Sequence, residues 1–139
     1  MSEAVYPQPR ETPTNKPMLA AWREEGALAL QRCKACGTTF FYPRPMCPRC
    51  WSPDVTWRRA SGAGRIVAFS RVHRGLPNAF RAEAPIVLAE IELPEAEGGA
   101  RMIARVVTEA PDEVRSGMAV RLVPLPAAAR YPLPTFRPA

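Results

Sequence analysis

The chain has a single histidine, His73, and only two lysines, Lys16 and Lys34, among 139 residues. One imidazole excludes a histidine-built metal cluster and leaves a general base with no partner encoded beside it. All the cysteine lies in one short stretch, so no thiol remains elsewhere to act as a nucleophile. No run approaches the ~18 apolar residues that mark a membrane span. The first seventeen residues, MSEAVYPQPRETPTNKP, lack the apolar core of a secretory leader. The expected compartment is the cytoplasm, where disulfides seldom persist.

Proline and arginine are abundant instead. The 17 prolines exceed the average of about 5% and gather at the two ends and around the cysteines. Such ends read as extended arms that lie on a partner: a flexible arm over 1–16 and a proline-rich tail over 126–139. Of the 19 basic residues 17 are arginine, the side chain suited to bidentate contact with phosphate or carboxylate. The net charge of +6 is uneven: residues 1–82 carry +8 and residues 83–139 carry −2.

The cysteines are Cys33, Cys36, Cys47 and Cys50, spaced C-x2-C-x10-C-x2-C. Two short knuckles at this spacing can aim four thiolates at one tetrahedral ion. Structural Zn2+, a rubredoxin-like iron centre and disulfides all use such a quartet. Zinc leads, because four sulfurs close its shell and leave no position for a substrate. A metal module this small buries little apolar surface, so the ion supplies its folding energy. Gly37 after Cys36 suits the positive φ that follows a second ligand. Trp51 stands in the corresponding place after Cys50, which predicts a different turn there, with the indole covering the site.

Met18, Leu19 and Trp22 recur at helical spacing between Pro17 and Gly26, which suit a helix start and stop. Beyond the quartet, β-rich runs fall at 55–59, 65–73, 85–93, 101–107 and 118–125, with a turn at 94–99 and a helical turn at 111–114. Five strands with one helical element predict a closed Greek-key barrel of the OB type. The fold expected is mainly β: helix and rubredoxin-like zinc ribbon over 17–54, then a five-stranded OB-fold barrel over 55–125. Ser61-Gly-Ala-Gly64 precedes a strand rather than a helix, so it reads as a barrel corner and not a phosphate loop.

Catalytic candidates are few. Glu90, Glu92, Glu95 and Glu97 flank a hairpin and read as a solvated turn. Arg58, Arg59, Arg65, Arg71 and Arg74 fall on the first two expected barrel strands, a usual ligand face of an OB fold. Strict alternation places Arg65, Arg71 and His73 on one face, either solvated or a cradle for phosphates. Zinc ribbons and OB barrels both bind nucleic acid, so a nucleic-acid module is the alternative. Against it, these strands offer mainly Trp57 and Phe69 for base stacking.

The segments QRCKACG, YPRPMCPRC and SGAGRIVAFSRVHR, followed by PDEVRSGMAV, resemble the zinc-ribbon/OB-fold family associated with acyl-CoA enzymes, long known as a domain of unknown function. The resemblance covers residues 17–125. It implies a non-catalytic accessory subunit, paired with a thiolase-fold protein (thiolase, acyltransferase or aldolase) or a MaoC-type hydratase that carries the catalytic residues. It implies the four cysteines as metal ligands and a CoA thioester as ligand of the complex, and it supplies no catalytic residue. Arg65, Arg71, His73 and Arg74 are then the expected contacts to CoA phosphates or to the partner.

Overall fold

The computed structural model describes residues 6–95 and 100–139. Helix α1 (Lys16–Glu25) starts with Pro17 in its first turn and stops at Gly26, whose φ of 64° no other residue adopts as cheaply. Its buried face is Met18, Leu19, Ala21 and Trp22. The indole N–H of Trp22 donates to the Tyr131 carbonyl at 2.8 Å, so the helix is tied to a segment 109 residues away.

Strand β1 (Ala29–Cys33) is the centre of a three-stranded antiparallel sheet, between β2 (Thr39–Phe40) and β3 (Val55–Arg59). Strands β4 (Ala63–Val72), β5 (Ile86–Glu92), β6 (Arg101–Val106), β7 (Ala119–Leu122) and β8 (Phe136–Pro138) form a closed barrel in the order β4-β5-β6-β8-β7. The five-stranded barrel is as expected, but two strands change roles. Residues 55–59 pair with β1 along their whole length and belong to the ribbon sheet. The fifth barrel strand comes from the supposed tail, where Phe136 is fully buried and pairs with Val106 and Leu122.

The described part of the N-terminal arm is anchored at Tyr6, while most of residues 7–13 are exposed. Tyr6 is buried, with its ring 5.0 Å from Phe80 and 6.1 Å from Tyr131. Its hydroxyl donates to Glu83, which also pairs with Arg105 and Arg130, each at 3.2 Å. The arm, β6 and the turns at Asn78–Glu83 and Ala127–Arg130 are thereby joined.

The larger core is shared by ribbon and barrel, beside a small separate cluster of Cys33, Phe40 and Cys47 in the ribbon. Leu28 and Leu30 from the ribbon side pack with Ile66, Ile91, Val106, Val120 and Phe136 from the barrel. Of the corner expected at residues 61–64, only a bend at Gly62, with φ 92°, precedes β4; Gly64 lies within the strand, where a Cβ would come 2.5 Å from Cγ2 of Ile91. The turn expected over 94–99 falls partly outside the described residues, and Glu97 wholly so.

Candidate metal centre

Each knuckle is built by the same pair of backbone hydrogen bonds. In the first, Cys33 N–H donates to Thr38 at 2.8 Å and Gly37 N–H to Cys33 at 2.9 Å. In the second, Cys47 N–H donates to Ser52 and Trp51 N–H to Cys47, both at 2.9 Å. Amides also point at sulfur: Cys36 N–H reaches Cys33 Sγ at 3.5 Å, and Arg49 N–H reaches Cys47 Sγ at 3.3 Å. These donors stabilise thiolate charge.

The four sulfurs all lie within 4.8 Å of one another. Cys33 and Cys50 are 3.5 Å apart, and Cys36 and Cys47 are 3.6 Å apart. A tetrahedron with Zn–S bonds of about 2.3 Å has edges of about 3.8 Å, close to this arrangement, whereas a disulfide needs about 2.05 Å. No disulfide joins the cysteines; their sulfurs gather around one point, and the donor set fits a single thiophilic cation in tetrahedral coordination. The Thr38 hydroxyl, with its own N–H, brings the Cys36 thiol down to about 6. Cys33 and Cys47 are buried while Cys36 and Cys50 face outward, so the site is half sunk in the ribbon.

The inter-knuckle segment is held from inside. Gln31, only 4% exposed, donates from Nε2 to the Arg44 carbonyl at 2.8 Å and accepts the Arg44 N–H on Oε1 at 2.7 Å.

Trp51 departs from expectation. It takes φ 67°, the same left-handed turn that Gly37 makes at φ 78°, so the two knuckles match. For an L-residue that conformation costs about 1–2 kcal/mol. Its side chain is 75% exposed and does not cover the sulfurs.

The basic set does not converge. A bulge in β4 between Ile66 and Ala68 shifts the pairing, so Arg65 lies opposite exposed Glu92 while Arg71 lies opposite buried Val87. One extra residue reverses the alternation, and the two arginines project to opposite faces. Arg71 turns inward over Phe69, with Cζ 4.9 Å from the ring centre. Its Nε donates to Pro111 at 2.7 Å, and its Nη2 to Asp112 at 3.2 Å and Val114 at 3.1 Å, tying down the turn Pro111–Glu113. His73 and Arg74 follow the end of β4 and share a small depression with Arg81, a cation the sequence reading passed over. Arg65 sits near the other end of that strand, eight residues before His73, at most about 26 Å away at about 3.3 Å per residue.

Of the hairpin carboxylates, Glu90 pairs with Arg101 at 3.2 Å. Glu95 accepts the Ser61 N–H at 2.5 Å. Burial opposes its charge, yet the bonds from Ser61 hold the Glu95 carboxyl below its ordinary value.

Sequence reasoning also missed a broad apolar groove of about 660 Å³ between the N-terminal arm, the ribbon and the outer face of β5 and β6. Leu88, Ile103, Tyr42 and Leu133 are exposed along it. The signal was present: Leu88 and Ile103 occupy outward positions where alternation calls for polar residues. Among the described residues, no helix is long and apolar enough to cross a membrane.

Comparison with known proteins covers both parts of the chain. Residues 23–56 match the rubredoxin-like zinc ribbon domain of ChsH2, and residues 57–124 match its C-terminal OB-fold domain. A probable enoyl-CoA hydratase alpha subunit of Thermomonospora curvata is 37% identical over 140 residues, 99% of this chain, which spans only 41% of that protein's length. A DUF35 domain-containing scaffold protein of Methanocaldococcus jannaschii is 37% identical over 113 residues, covering 78% of this chain and 77% of that one. Among solved structures, a chain of the Ltp2-ChsH2(DUF35) aldolase superposes with a TM-score of 0.79 at 36% identity, over 94% of this chain and 98% of that one. A DUF35 protein of Sulfolobus solfataricus, 16% identical with a TM-score of 0.63, shares the fold.

Proposed function

The chain belongs to the ChsH2-type zinc-ribbon/OB-fold (DUF35) family, and on that premise we propose that it is a non-catalytic accessory subunit of a thiolase-fold complex acting on acyl-CoA substrates. The observation that carries this reading is the closed sulfur quartet. Four thiolates fill a tetrahedral shell, so the ion (Zn2+ in this proposal, held by Cys33, Cys36, Cys47 and Cys50) folds a platform and offers no position for a substrate. The likeness to a chain of the Ltp2-ChsH2(DUF35) aldolase supports an aldolase as partner.

In this reading helix α1 and the ribbon act as one docking unit and the barrel as another, and the complex works in the cytoplasm. The CoA thioester is bound chiefly by the partner. His73 and Arg74, with Arg81 beside them, border its phosphates or the partner's surface. Arg71 acts within the barrel, and Arg65 contacts the partner from the opposite face.

The name of the Thermomonospora curvata relative, an enoyl-CoA hydratase alpha subunit, favours a second pairing, with a hydratase that is MaoC-type in this proposal. Co-expression with the thiolase-fold and the hydratase subunits from the same genome decides between them. A stable complex with the thiolase-fold subunit, and acyl-CoA turnover that requires both chains, is the expected result. Association with neither, together with steeply salt-dependent binding to single-stranded DNA, would move the protein to the nucleic-acid class.

A further inference from the structure

The second knuckle holds a residue that its own turn disfavours. Gly37 and Trp51 occupy equivalent places, make the same hydrogen bond and share the left-handed conformation. Around Gly37 an added Cβ would meet nothing nearer than Arg32 Nη2 at 3.9 Å. In the first knuckle, then, backbone conformation rather than crowding penalises a side chain. At the second knuckle that penalty is borne by a tryptophan whose side chain gains little within this chain. It is 75% exposed, and among the described residues its ring stacks on no other.

We infer that Trp51 is a contact anchor, held at the ribbon tip to enter an apolar pocket with an acidic rim on the partner enzyme subunit. The inference rests on the accessory-subunit reading and names the surface through which it acts.

Three further features fit that role. The knuckle is fixed by its hydrogen bonds, by the quartet and by Pro48 and Pro53, so little freedom remains to be lost on docking. Tryptophan presents a large, stiff surface and is enriched among the few residues that dominate interface energies. Exposed Met46, on the same knuckle, adds a soft apolar neighbour. Charge specifies the rim. Lys34, Arg44 and Arg49 are exposed and form no ion pair among the described residues. Asp54 is the one acidic residue from 32 to 54. A pocket edged by carboxylates complements this basic ribbon segment, and a basic or neutral one does not.

The test uses the full chain and the thiolase-fold subunit that copurifies with it. Trp51→Gly, Trp51→Phe and Ile103→Ser are compared with the wild type for zinc content, thermal midpoint and Kd for that subunit. Trp51→Gly is expected to keep its zinc, to hold or raise its midpoint by a few degrees as the turn relaxes, and to weaken binding at least about 30-fold. Trp51→Phe recovers part of the affinity, and Ile103→Ser, in the apolar groove, stays within about threefold of the wild type.

Unchanged affinity in Trp51→Gly overturns the inference and leaves the accessory role standing. So does loss of affinity in Ile103→Ser alone, and zinc loss in Trp51→Gly would make the residue structural. Trp51-dependent binding to anionic phospholipid vesicles, with the protein complex unaffected, reassigns the anchor to a membrane and overturns it too. If the wild type brings down no thiolase-fold subunit, the functional reading and the inference fall together.

Discussion

The side chain of Gln31 is paired at both amide atoms with the backbone of Arg44, at 2.8 and 2.7 Å, inside the ribbon. This clamp substitutes for a strand pairing: it fixes the segment between the knuckles, so that Cys47 returns to Cys33 and Cys36. Gln31→Leu leaves an N–H and a carbonyl of Arg44 without their partners. The expected loss is about 2–3 kcal/mol, with faster zinc transfer to a chromogenic chelator. Native midpoint and release rate in the variant would show the clamp to be dispensable.

Cys47 is buried at the base of the quartet and Cys36 lies outside. Either one changed to serine should lose the metal and unfold the ribbon, because coordination supplies its stability. Elemental analysis and thermal melting check this, and full zinc with a native midpoint in either variant refutes it.

Gly64 passes so close to β5 that a methyl would strike Ile91 at 2.5 Å. Gly64→Ala should destabilise the barrel by about 1–3 kcal/mol, an overpacking penalty. Urea melts give the number, and pairing the change with Ile91→Val should recover part of it.

Arg71 donates to three carbonyls around the turn Pro111–Glu113. Arg115 Nη1 also donates to Asp112 and Val114, at 2.6 and 2.8 Å, so removing Arg71 strips only the Pro111 carbonyl of its charged donor, at about 1–3 kcal/mol. Arg71→Ala should therefore lower the melting temperature, while Arg74→Ala leaves it unchanged and weakens CoA-dependent turnover of the complex. The opposite pattern would place Arg71 at the ligand and Arg74 in the scaffold.

Burial, then the neighbouring Glu83 carboxylate, raises the Tyr6 phenol above its ordinary value of 10.0. Its neutral form is the one favoured by the fold. The stability it contributes is complete below about pH 10 and is lost as pH rises through the higher folded value. Alkaline titration should release the arm over that range. Tyr6→Phe keeps the ring packing and removes the transition, as hydrogen exchange of residues near Phe80 would report.

What the sequence disclosed was local. Ligand spacing is a property of a few consecutive residues, so the quartet stood out, and Pro17 and Gly26 bracketed α1 for equally short-range reasons. Partner choice between strands is long-range. The alternation at 55–59 suits either sheet, and only the five pairs with β1 assign it to the ribbon. Phe136, among prolines, resembled a tail until its burial against Val106 and Leu122 showed a barrel strand. The bulge beside Val67 carries no glycine to announce it, yet it reverses the alternation and separates Arg65 from Arg71. At Trp51 the preference for glycine was legible, whereas the adoption of glycine's conformation by tryptophan was not.

The strand that closes the barrel, Phe136–Pro138, has a bearing on biosynthesis. All four ligands have been translated by Cys50, so metal uptake can begin while most of the barrel sequence is still unmade. The barrel cannot seal until Phe136 leaves the ribosome and reaches Val106. Chains grow from the N-terminus at roughly 5–20 residues per second, which gives the nascent ribbon several seconds in which Leu28 and Leu30 have no finished barrel to cover them. A cell short of zinc during that interval would face an unfolded leader segment attached to an open sheet. With zinc as the proposed ion of the ribbon, metal supply would thus be a condition of this chain's assembly.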